Sequence, residues 1–275
     1  MFRIRFWGVR GSIPSPGPGT VHFGGNTSCV EMRCGSEILI FDCGTGARLL
    51  GDELSREGPL KAHIFFSHVH WDHIQGFPFF RPGFQPGNEF MLCGSKSAPL
   101  NIEETLAGQM NYPNFPVRLS QMGATMHYND LEAGERVEVN GVTIVPEPLS
   151  HPNGSFGYRV EHEGKVAVYA TDNELGGESS ESFQRLARNA DVLIHDAQYT
   201  EDEYWGRNGL MAKKGWGHST WNAAAHAAAA AGVKKLVLYH HDHSHDDDFM
   251  RDIEQQCRAV FPNSLAAYEG LVLDL

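Results

Sequence analysis

The sequence has few basic residues for its size, and this shortage limits the partners it can bind. Its 275 residues include 22 Lys and Arg against 34 Asp and Glu, which gives a formal net charge of −12 with neutral histidines. A broad nucleic-acid surface needs clustered Lys and Arg to neutralise phosphates, so this balance argues against one. A small anionic substrate remains compatible, because bound metal ions supply positive charge of their own.

Paired cysteines and long apolar segments are also missing. The five cysteines are an odd number, and no two of them stand in a CxxC spacing. We therefore expect reduced thiols in a cytoplasmic protein rather than a disulfide framework. Arginines interrupt the apolar residues at the N-terminus, so we expect no secretory signal there. No apolar run approaches the length of a membrane span, and we expect no membrane partner.

Histidine, by contrast, is abundant. The chain has 15 histidines, and many of them fall in two short stretches. The first stretch holds His68, His70 and His73, and the second holds His240, His241, His243 and His245. A neutral imidazole is available near pH 7 and is the most common protein ligand of transition metals. Both stretches therefore contain candidate metal ligands.

The order of apolar segments predicts an α/β fold. Short apolar or alternating stretches predict strands at 2–7, 28–33, 37–41, 61–66, 125–128, 136–139, 143–147, 157–162, 166–170, 192–195 and 235–239. One helix is predicted to end near residue 56, and the others at 102–110, 179–189, 221–232 and 247–260. Strands followed by helices occur twice, which favours a four-layer αββα sandwich of two mixed β-sheets with helices on the outer faces.

The domain organisation is predicted to be simple. We find no linker of biased composition and expect residues 1–275 to form one domain. The stretch 77–123 contains many prolines and glycines around its one predicted helix. We expect it to be a loop-rich excursion near the active site, where loops often determine which substrate binds.

The strongest chemical signal is the motif His68-x-His70-x-Asp72-His73, which directly follows an apolar strand. In a loop, side chains at these spacings can converge, so that His68 and His70 hold one metal ion while Asp72 and His73 reach a second. Two such ions, roughly 3.5–4 Å apart, can clamp the attacking and leaving oxygens of a hydrolytic reaction. A chance histidine run on a solvated loop is the alternative, and the dense grouping after a strand disfavours it.

This motif resembles the HxHxDH signature of the metallo-β-lactamase superfamily, and the resemblance implies further ligands in order along the chain. It implies His151 after the strand at 143–147, Asp172 as a carboxylate touching both metals, and His240 after a late strand. His241 is the alternative to His240 in the last position. Zinc suits such imidazole and carboxylate ligands, while manganese or iron also fit, because no thiolate selects among them.

Two further segments resemble the ribonuclease Z-like branch of that superfamily. Residues 192–197 are similar to its HEAT segment and residues 217–220 to its HST segment. This resemblance implies that His218 is a general acid and that Asp196, which stands where the branch has Glu, orients it. Phosphodiester cleavage expels an alkoxide, which a positioned acid assists. Asp72 is assigned a second role as a base.

The segment 24–28 also resembles this branch, and it places Asn26 and Thr27 as candidate substrate-binding residues. The alternative is a tight turn that only leads into a strand.

The resemblance implies a phosphodiesterase in which a hydroxide bridging two divalent ions attacks phosphorus. Ribonuclease Z enzymes that process tRNA carry a basic, glycine-rich arm, and this chain has none. We therefore expect a small phosphodiester such as a cyclic nucleotide as the substrate, with no extended nucleic-acid surface and a homodimer left open. The alternatives are a tRNA 3′-processing-type endoribonuclease, a β-lactam or thioester hydrolase, and a non-catalytic metal-binding module.

Overall fold

The computed structural model describes residues 1–177 and 180–275 as two β-sheets with flanking helices. The strands are β1 (Phe2–Gly8), β2 (Cys29–Cys34), β3 (Glu37–Phe41), β4 (Lys61–Phe65), β5 (Glu89–Ser95), β6 (Thr125–Leu131), β7 (Val137–Val139), β8 (Val142–Leu149), β9 (Ser155–His162), β10 (Lys165–Ala170), β11 (Val192–Asp196), β12 (Leu236–Tyr239), β13 (Ser264–Ala266) and β14 (Val272–Asp274). The helices are α1 (Gly46–Leu54), α2 (Trp71–Ile74), α3 (Ile102–Gln109), α4 (Ser180–Ala187), α5 (Glu201–Trp205), α6 (Trp221–Ala230) and α7 (Asp247–Val260).

Both sheets have seven strands and mix parallel with antiparallel pairing. The first sheet has the order β14-β1-β2-β3-β4-β5-β6, and its strands from β3 to β6 run parallel. The second has the order β13-β12-β11-β10-β9-β8-β7, and its strands from β10 to β13 run parallel. The remaining pairs in each sheet are antiparallel.

The sheets face each other across an apolar core. Phe41 of the first sheet lies 5.6 Å from Tyr158 and 5.5 Å from Tyr169 of the second, measured between ring centroids. Two further apolar clusters lie on the outer faces, one under α1 and α3, the other under α4, α6 and α7. The predicted αββα sandwich is therefore confirmed. Removal of these side chains from water is the main stabilising contribution to such a fold.

Helix α6 shows how the sequence sets one of these outer layers. The hydroxyl of Thr220 caps the helix by accepting a hydrogen bond from the backbone N–H of Ala223 at 3.0 Å. Ala224, Ala225 and Ala228 are buried against the second sheet, where their small side chains allow close approach. The start of α6 is thereby held directly beside His218.

The parallel strands bring their carboxyl ends to one edge of the sandwich. The strand β4 leads into the histidine motif, β10 into Asp172, β11 ends at Asp196, and β12 leads into His240. In α/β sheets this edge is the usual location of ligand sites.

The stretch 77–123 differs from the expectation. It contains β5, which pairs parallel with both β4 and β6 and is therefore an inner strand of the first sheet. The sequence analysis missed β5 because prolines and glycines lie on both sides of 89–95 and the strand's partners are distant in sequence. Ser179, where we predicted α4 to begin, lies outside the described residues. Across the described ranges, none of the helices has the length and apolar character needed to cross a membrane.

Candidate metal centre

Seven predicted ligand side chains converge at the carboxyl edge of the two sheets. They are His68, His70, Asp72, His73, His151, Asp172 and His240. The backbone of Asp172 has φ 52° and that of His240 has φ 60°, so the chain turns sharply just after β10 and β12. Such left-handed conformations are uncommon for residues other than glycine and are found preferentially at functional sites.

One group of ligand atoms comes from His68, His70 and His151. These atoms lie within 4.8 Å of one another. Nδ1 of His70 and Nε2 of His151 are 3.2 Å apart. Nε2 of His68 is buried, and no residue described in the structure hydrogen-bonds to it. Burial lowers the pKa of all three imidazoles, and the pKa of His68 lies well below its usual range. The three rings are therefore neutral, which is the form that binds a metal ion.

A second group comes from Asp72, His73 and His240. Nε2 of His73 lies 3.3 Å from Nε2 of His240, and Oδ2 of Asp72 lies 3.2 Å and 3.1 Å from these two nitrogens. The backbone N–H of Ser12 donates to the same Asp72 oxygen at 2.7 Å. All three side chains are buried, and Asp72 and His240 line one cleft.

Asp172 lies between the two groups and faces each with a different oxygen. Its Oδ1 is 3.6 Å from Nε2 of His68 and 3.7 Å from Nε2 of His151. Its Oδ2 is 3.2 Å from Nε2 of His73 and 3.3 Å from Nε2 of His240. This is the arrangement expected of a carboxylate shared by two cations.

The charges at the site fit divalent cations. Burial acts to lower the pKa of His73, yet the three surrounding carboxylates outweigh it and raise the pKa well above the usual value. These carboxylates belong to Asp72, Asp172 and Asp42. Buried charge of one sign is costly unless it is balanced, so the site favours positive charge at its centre. Imidazole nitrogens and carboxylate oxygens are donors that zinc, manganese and iron accept.

Asp42, which the sequence analysis did not single out, fixes the orientation of His73. It follows β3 directly, and its carboxylate accepts hydrogen bonds from the backbone N–H of Ser67 and the Tyr169 hydroxyl, each at 2.7 Å. Its Oδ2 lies 2.7 Å from Nδ1 of His73, which leaves Nε2 to face the metal positions. Outer carboxylates of this kind set the tautomer and ring direction of a ligand histidine.

We expect Asp42→Asn to weaken metal binding by about 10- to 100-fold, because the amide lacks the charge and cannot accept from all of these donors. Competition with a fluorescent chelator measures the affinity. Tyr169→Phe is the matched control, since it removes one hydrogen bond to Asp42 and leaves the contact with His73. Equal metal affinity in Asp42→Asn and the wild type would contradict the orienting role.

The structure distinguishes between His240 and His241, the two candidates for the last ligand. The ring of His240 faces the site, and its Nδ1 lies 3.0 Å from the side-chain oxygen of Gln198. The ring of His241 is buried on the other side of the chain, with Nε2 hydrogen-bonded to the carbonyl of Ala267 at 2.8 Å. Burial lowers the pKa of His241 to about 3, and it stays neutral there. His240 is therefore the residue positioned for ligation.

His218 and Asp196 form a buried pair at the wall of the same cleft. Nδ1 of His218 lies 2.6 Å from Oδ2 of Asp196, so this aspartate reaches the histidine although it is shorter than the Glu that the related branch has at this position. The other oxygen of Asp196 accepts from the backbone N–H groups of Gln198 and Ser219, which hold the carboxylate still. Burial acts to lower the pKa of His218, but the charge and hydrogen bond of Asp196 outweigh it and raise the pKa to about 9.

Asn26 and Thr27 do not face the cleft, and we withdraw their predicted role in substrate binding. Thr27 is fully buried, and its hydroxyl accepts from the backbone N–H of Thr45 at 2.9 Å. The side chain of Asn26 donates to Glu269 at 3.1 Å. Both residues connect loops that support the site. This agrees with the alternative that segment 24–28 is a tight turn leading into a strand.

The comparisons with known proteins agree with this fold and site. A family model described as a beta-lactamase superfamily domain matches residues 38–241. The ribonuclease Z of Archaeoglobus fulgidus is 25% identical over 100% of this chain and 98% of its own length. Among solved structures, the short form of human tRNase Z has a TM-score of 0.70 at 20% identity and covers 99% of this chain and 98% of its own. A diphosphatase from the PhnP family has a TM-score of 0.71 at 20% identity and covers 100% of this chain and 98% of its own.

The fold and the clustered His and Asp side chains define a metallo-β-lactamase-type hydrolase. The chain belongs to the β-lactamase superfamily, in its ribonuclease Z-like branch. The HxHxDH motif and the two branch segments had indicated this family from the sequence.

The expected partners require correction. We predicted a small-molecule phosphodiester and no extended nucleic-acid surface, whereas the similar proteins are named ribonuclease Z and tRNase Z, for RNA substrates. The prediction was wrong because it used the net charge of the whole chain. Affinity for a nucleic acid depends on the local arrangement of groups around the site, which a net charge does not report.

Proposed function

We propose that this protein is a metal-dependent phosphodiesterase that cleaves RNA, with tRNA 3′ processing as the reaction that its relatives' names indicate. The observation that carries this proposal is the pair formed by His218 and Asp196 at 2.6 Å, on the wall of the cleft that contains Asp72 and Asp172. The site thereby combines seven candidate metal ligands with one histidine of raised pKa that is free to act on a substrate.

The ligand assignment follows the two groups of atoms. We propose that His68, His70 and His151 hold one divalent ion and that Asp72, His73 and His240 hold the other, with Asp172 shared. When bound, such ions lower the pKa of water and neutralise the charge on the phosphoryl oxygens. Zinc is the ion we propose, because imidazole nitrogens make up most of the ligand set.

His218 supplies the proton that the leaving oxygen needs. Water loses one proton to the solvent and attacks phosphorus, the bond from phosphorus to the leaving oxygen breaks, and His218 donates its proton to that oxygen. Asp196 holds Nδ1 of His218, so Nε2 is the nitrogen that faces the substrate. Burial acts to raise the pKa of the Asp72 carboxyl, but the contacts with His73 and His240 outweigh burial and lower this pKa well below its usual value. A carboxylate with so low a pKa is a weak base, so it is better suited to binding a metal ion than to accepting a proton. We therefore propose that Asp72 acts mainly as a ligand, rather than as the base that we had assigned to it.

A histidine held in its protonated form distinguishes phosphodiester cleavage from thioester hydrolysis. A ribose alkoxide leaves poorly without a proton, whereas a thioester releases a thiolate, whose conjugate acid has a pKa near ~8.5. The acid is thus required for phosphodiester cleavage and adds little to thioester hydrolysis. A non-catalytic metal-binding module has no use for it.

The pH dependence of activity should reveal the ionisation of His218 beside Asp196. His218 must carry its proton to act as an acid, so activity should fall as the pH rises through about 9. Asp196→Asn removes the charge that raises the pKa, so the falling limb should move to lower pH. A profile of kcat against pH measures the shift, and Asp52→Asn, on the exposed face of α1, is the matched control. An unshifted limb in Asp196→Asn would refute the assignment.

The substrate proposal is tested with protein reconstituted separately with zinc, manganese and iron. Each form is given a tRNA precursor with a 3′ trailer and, in parallel, cyclic mononucleotides. We expect endonucleolytic release of the trailer. Turnover of cyclic nucleotides with no cleavage of the precursor under any of these metals would overturn the proposal.

A further inference from the structure

An exposed tryptophan stands at the edge of the metal cleft. Trp71 lies between the candidate ligands His70 and Asp72 and is 81% exposed. It lines the same cleft as His218 and Asp172. Its indole contributes little to the core from this position, so its large flat face is available to a ligand that approaches the site.

A second aromatic surface lies on the segment that leads into His218. Trp205, at the end of α5, is 47% exposed, and Trp216 is 45% exposed. Two lysines accompany these rings: Nζ of Lys214 lies 5.1 Å from the Trp205 ring centroid, and Nζ of Lys213 lies 4.3 Å from that of Trp216. Trp205 and Lys214 line a cleft that also contains His218. The two clefts therefore adjoin at the proposed acid.

This second surface carries two lysines, Lys213 and Lys214, and Lys214 lines its cleft beside the carboxylates of Glu174 and Glu201. Lys213 and Lys214 are held over aromatic rings, and neither forms an ion pair with a carboxylate within the part of the chain that the structure describes. Their charge is therefore available to a phosphate. Alternating aromatic and basic groups are the arrangement by which proteins hold single-stranded nucleic acids, since bases stack on the rings and phosphates meet the cations.

We infer that the cleft binds RNA as an unpaired strand that passes across His218, with one base stacked on Trp71 and another on Trp205. This inference rests on the proposed function and specifies the form of its substrate. Bases within a duplex are stacked on one another and hidden from such rings, so a paired strand lacks these contacts. Stacking depends little on sequence, and it adds affinity to the contacts that phosphates make with cations.

The test compares two RNA substrates with the metal-loaded protein. One is a hairpin with an unpaired 3′ trailer, and the other is the same RNA with its trailer annealed to a complementary strand. We expect Trp71→Ala and Trp205→Ala each to raise KM for the unpaired substrate by roughly 10-fold while kcat changes little. Trp71→Phe, which keeps an aromatic face, should restore most of the loss. The wild type should prefer the unpaired substrate.

Tyr112→Ala is the matched control, because Tyr112 is 90% exposed and lines neither cleft. Metal content is measured for every variant, since Trp71 adjoins two candidate ligands. If the wild type cleaves RNA but both tryptophan variants keep the wild-type KM, or if the paired trailer is cleaved equally well, the stacking inference is wrong and the proposed function stands. If the wild type cleaves neither RNA, the proposed function itself fails.

Discussion

Asp172→Ala is expected to remove metal from both positions and to reduce activity by roughly a thousandfold or more. Asp172 is the side chain that faces both groups of ligands, with Oδ1 3.6 Å from His68 and Oδ2 3.2 Å from His73. Its loss leaves each position one ligand short and removes the charge that offsets the neighbouring cations. Metal catalysis contributes several kcal/mol of transition-state stabilisation, which corresponds to about this change in rate.

The measurement is metal content per protein by mass spectrometry, followed by turnover of RNA in the same preparations. Asp196→Asn is the matched control, because it also removes a buried carboxylate at this edge but one that we assign to His218. It should keep its metals. Two equivalents of metal retained in Asp172→Ala would show that Asp172 is not shared between the positions.

His218→Ala is expected to keep the metals and to lower kcat on RNA by about 10²- to 10⁴-fold, the usual contribution of a positioned general acid. The leaving ribose oxygen would then depart without a proton. His218 lies near enough to His151 and Asp172 to share a group of potential ligand atoms with them, but its Nδ1 is held 2.6 Å from Asp196 and we assign it as the acid, so we expect a selective effect.

A substrate with a better leaving group provides the internal control for this variant. Bis(p-nitrophenyl) phosphate releases p-nitrophenolate, which is far more stable than a ribose alkoxide and needs little help from an acid. His218→Ala should therefore lose much less activity on this substrate than on RNA. An equal loss on both substrates would indicate that His218 supports the site in another way, and full activity on RNA would contradict its role as the acid.

The candidate metal ligands could be located in the sequence because each follows the end of a predicted strand. His151 comes shortly after β8, and Asp172 and His240 come at the first turn after β10 and β12. Short continuous apolar runs predict such buried strands in the sequence, and parallel strands then bring their ends to one edge. The choice between His240 and His241 required the structure, because the sharp turn at φ 60° decides which ring enters the site.

The groups that support these ligands could not be placed in the same way. Asp42 and Gln198 act through contacts with His73 and His240, which are far away in sequence. An aspartate before a glycine-rich turn suggests only a turn residue from the sequence. The strand β5 was missed for a related reason, because its identity depends on pairing with β4 and β6 rather than on a long apolar pattern of its own.

The prediction of a small-molecule partner failed for another reason, because it relied on the net charge of the chain. Net charge describes solubility and long-range steering, whereas the form of substrate that a cleft accepts depends on the few groups around it. The segment that follows α5 carries Lys213 over Trp216 and Lys214 over Trp205, and Lys214 lines a cleft together with His218. Its two lysines are a small part of the 22 basic residues, so their placement is invisible in the composition.

The most direct test of the account is the chemistry of RNA cleavage in water labelled with heavy oxygen. We predict that metal-loaded protein cleaves an RNA with a 3′ trailer, that a chelator stops the reaction, and that readdition of zinc restores it. Because water is the proposed nucleophile, the new terminal phosphate should carry the heavy oxygen, and no 2′,3′-cyclic phosphate should form. Cleavage that persists without metal, or products that end in a cyclic phosphate, would contradict the central claim.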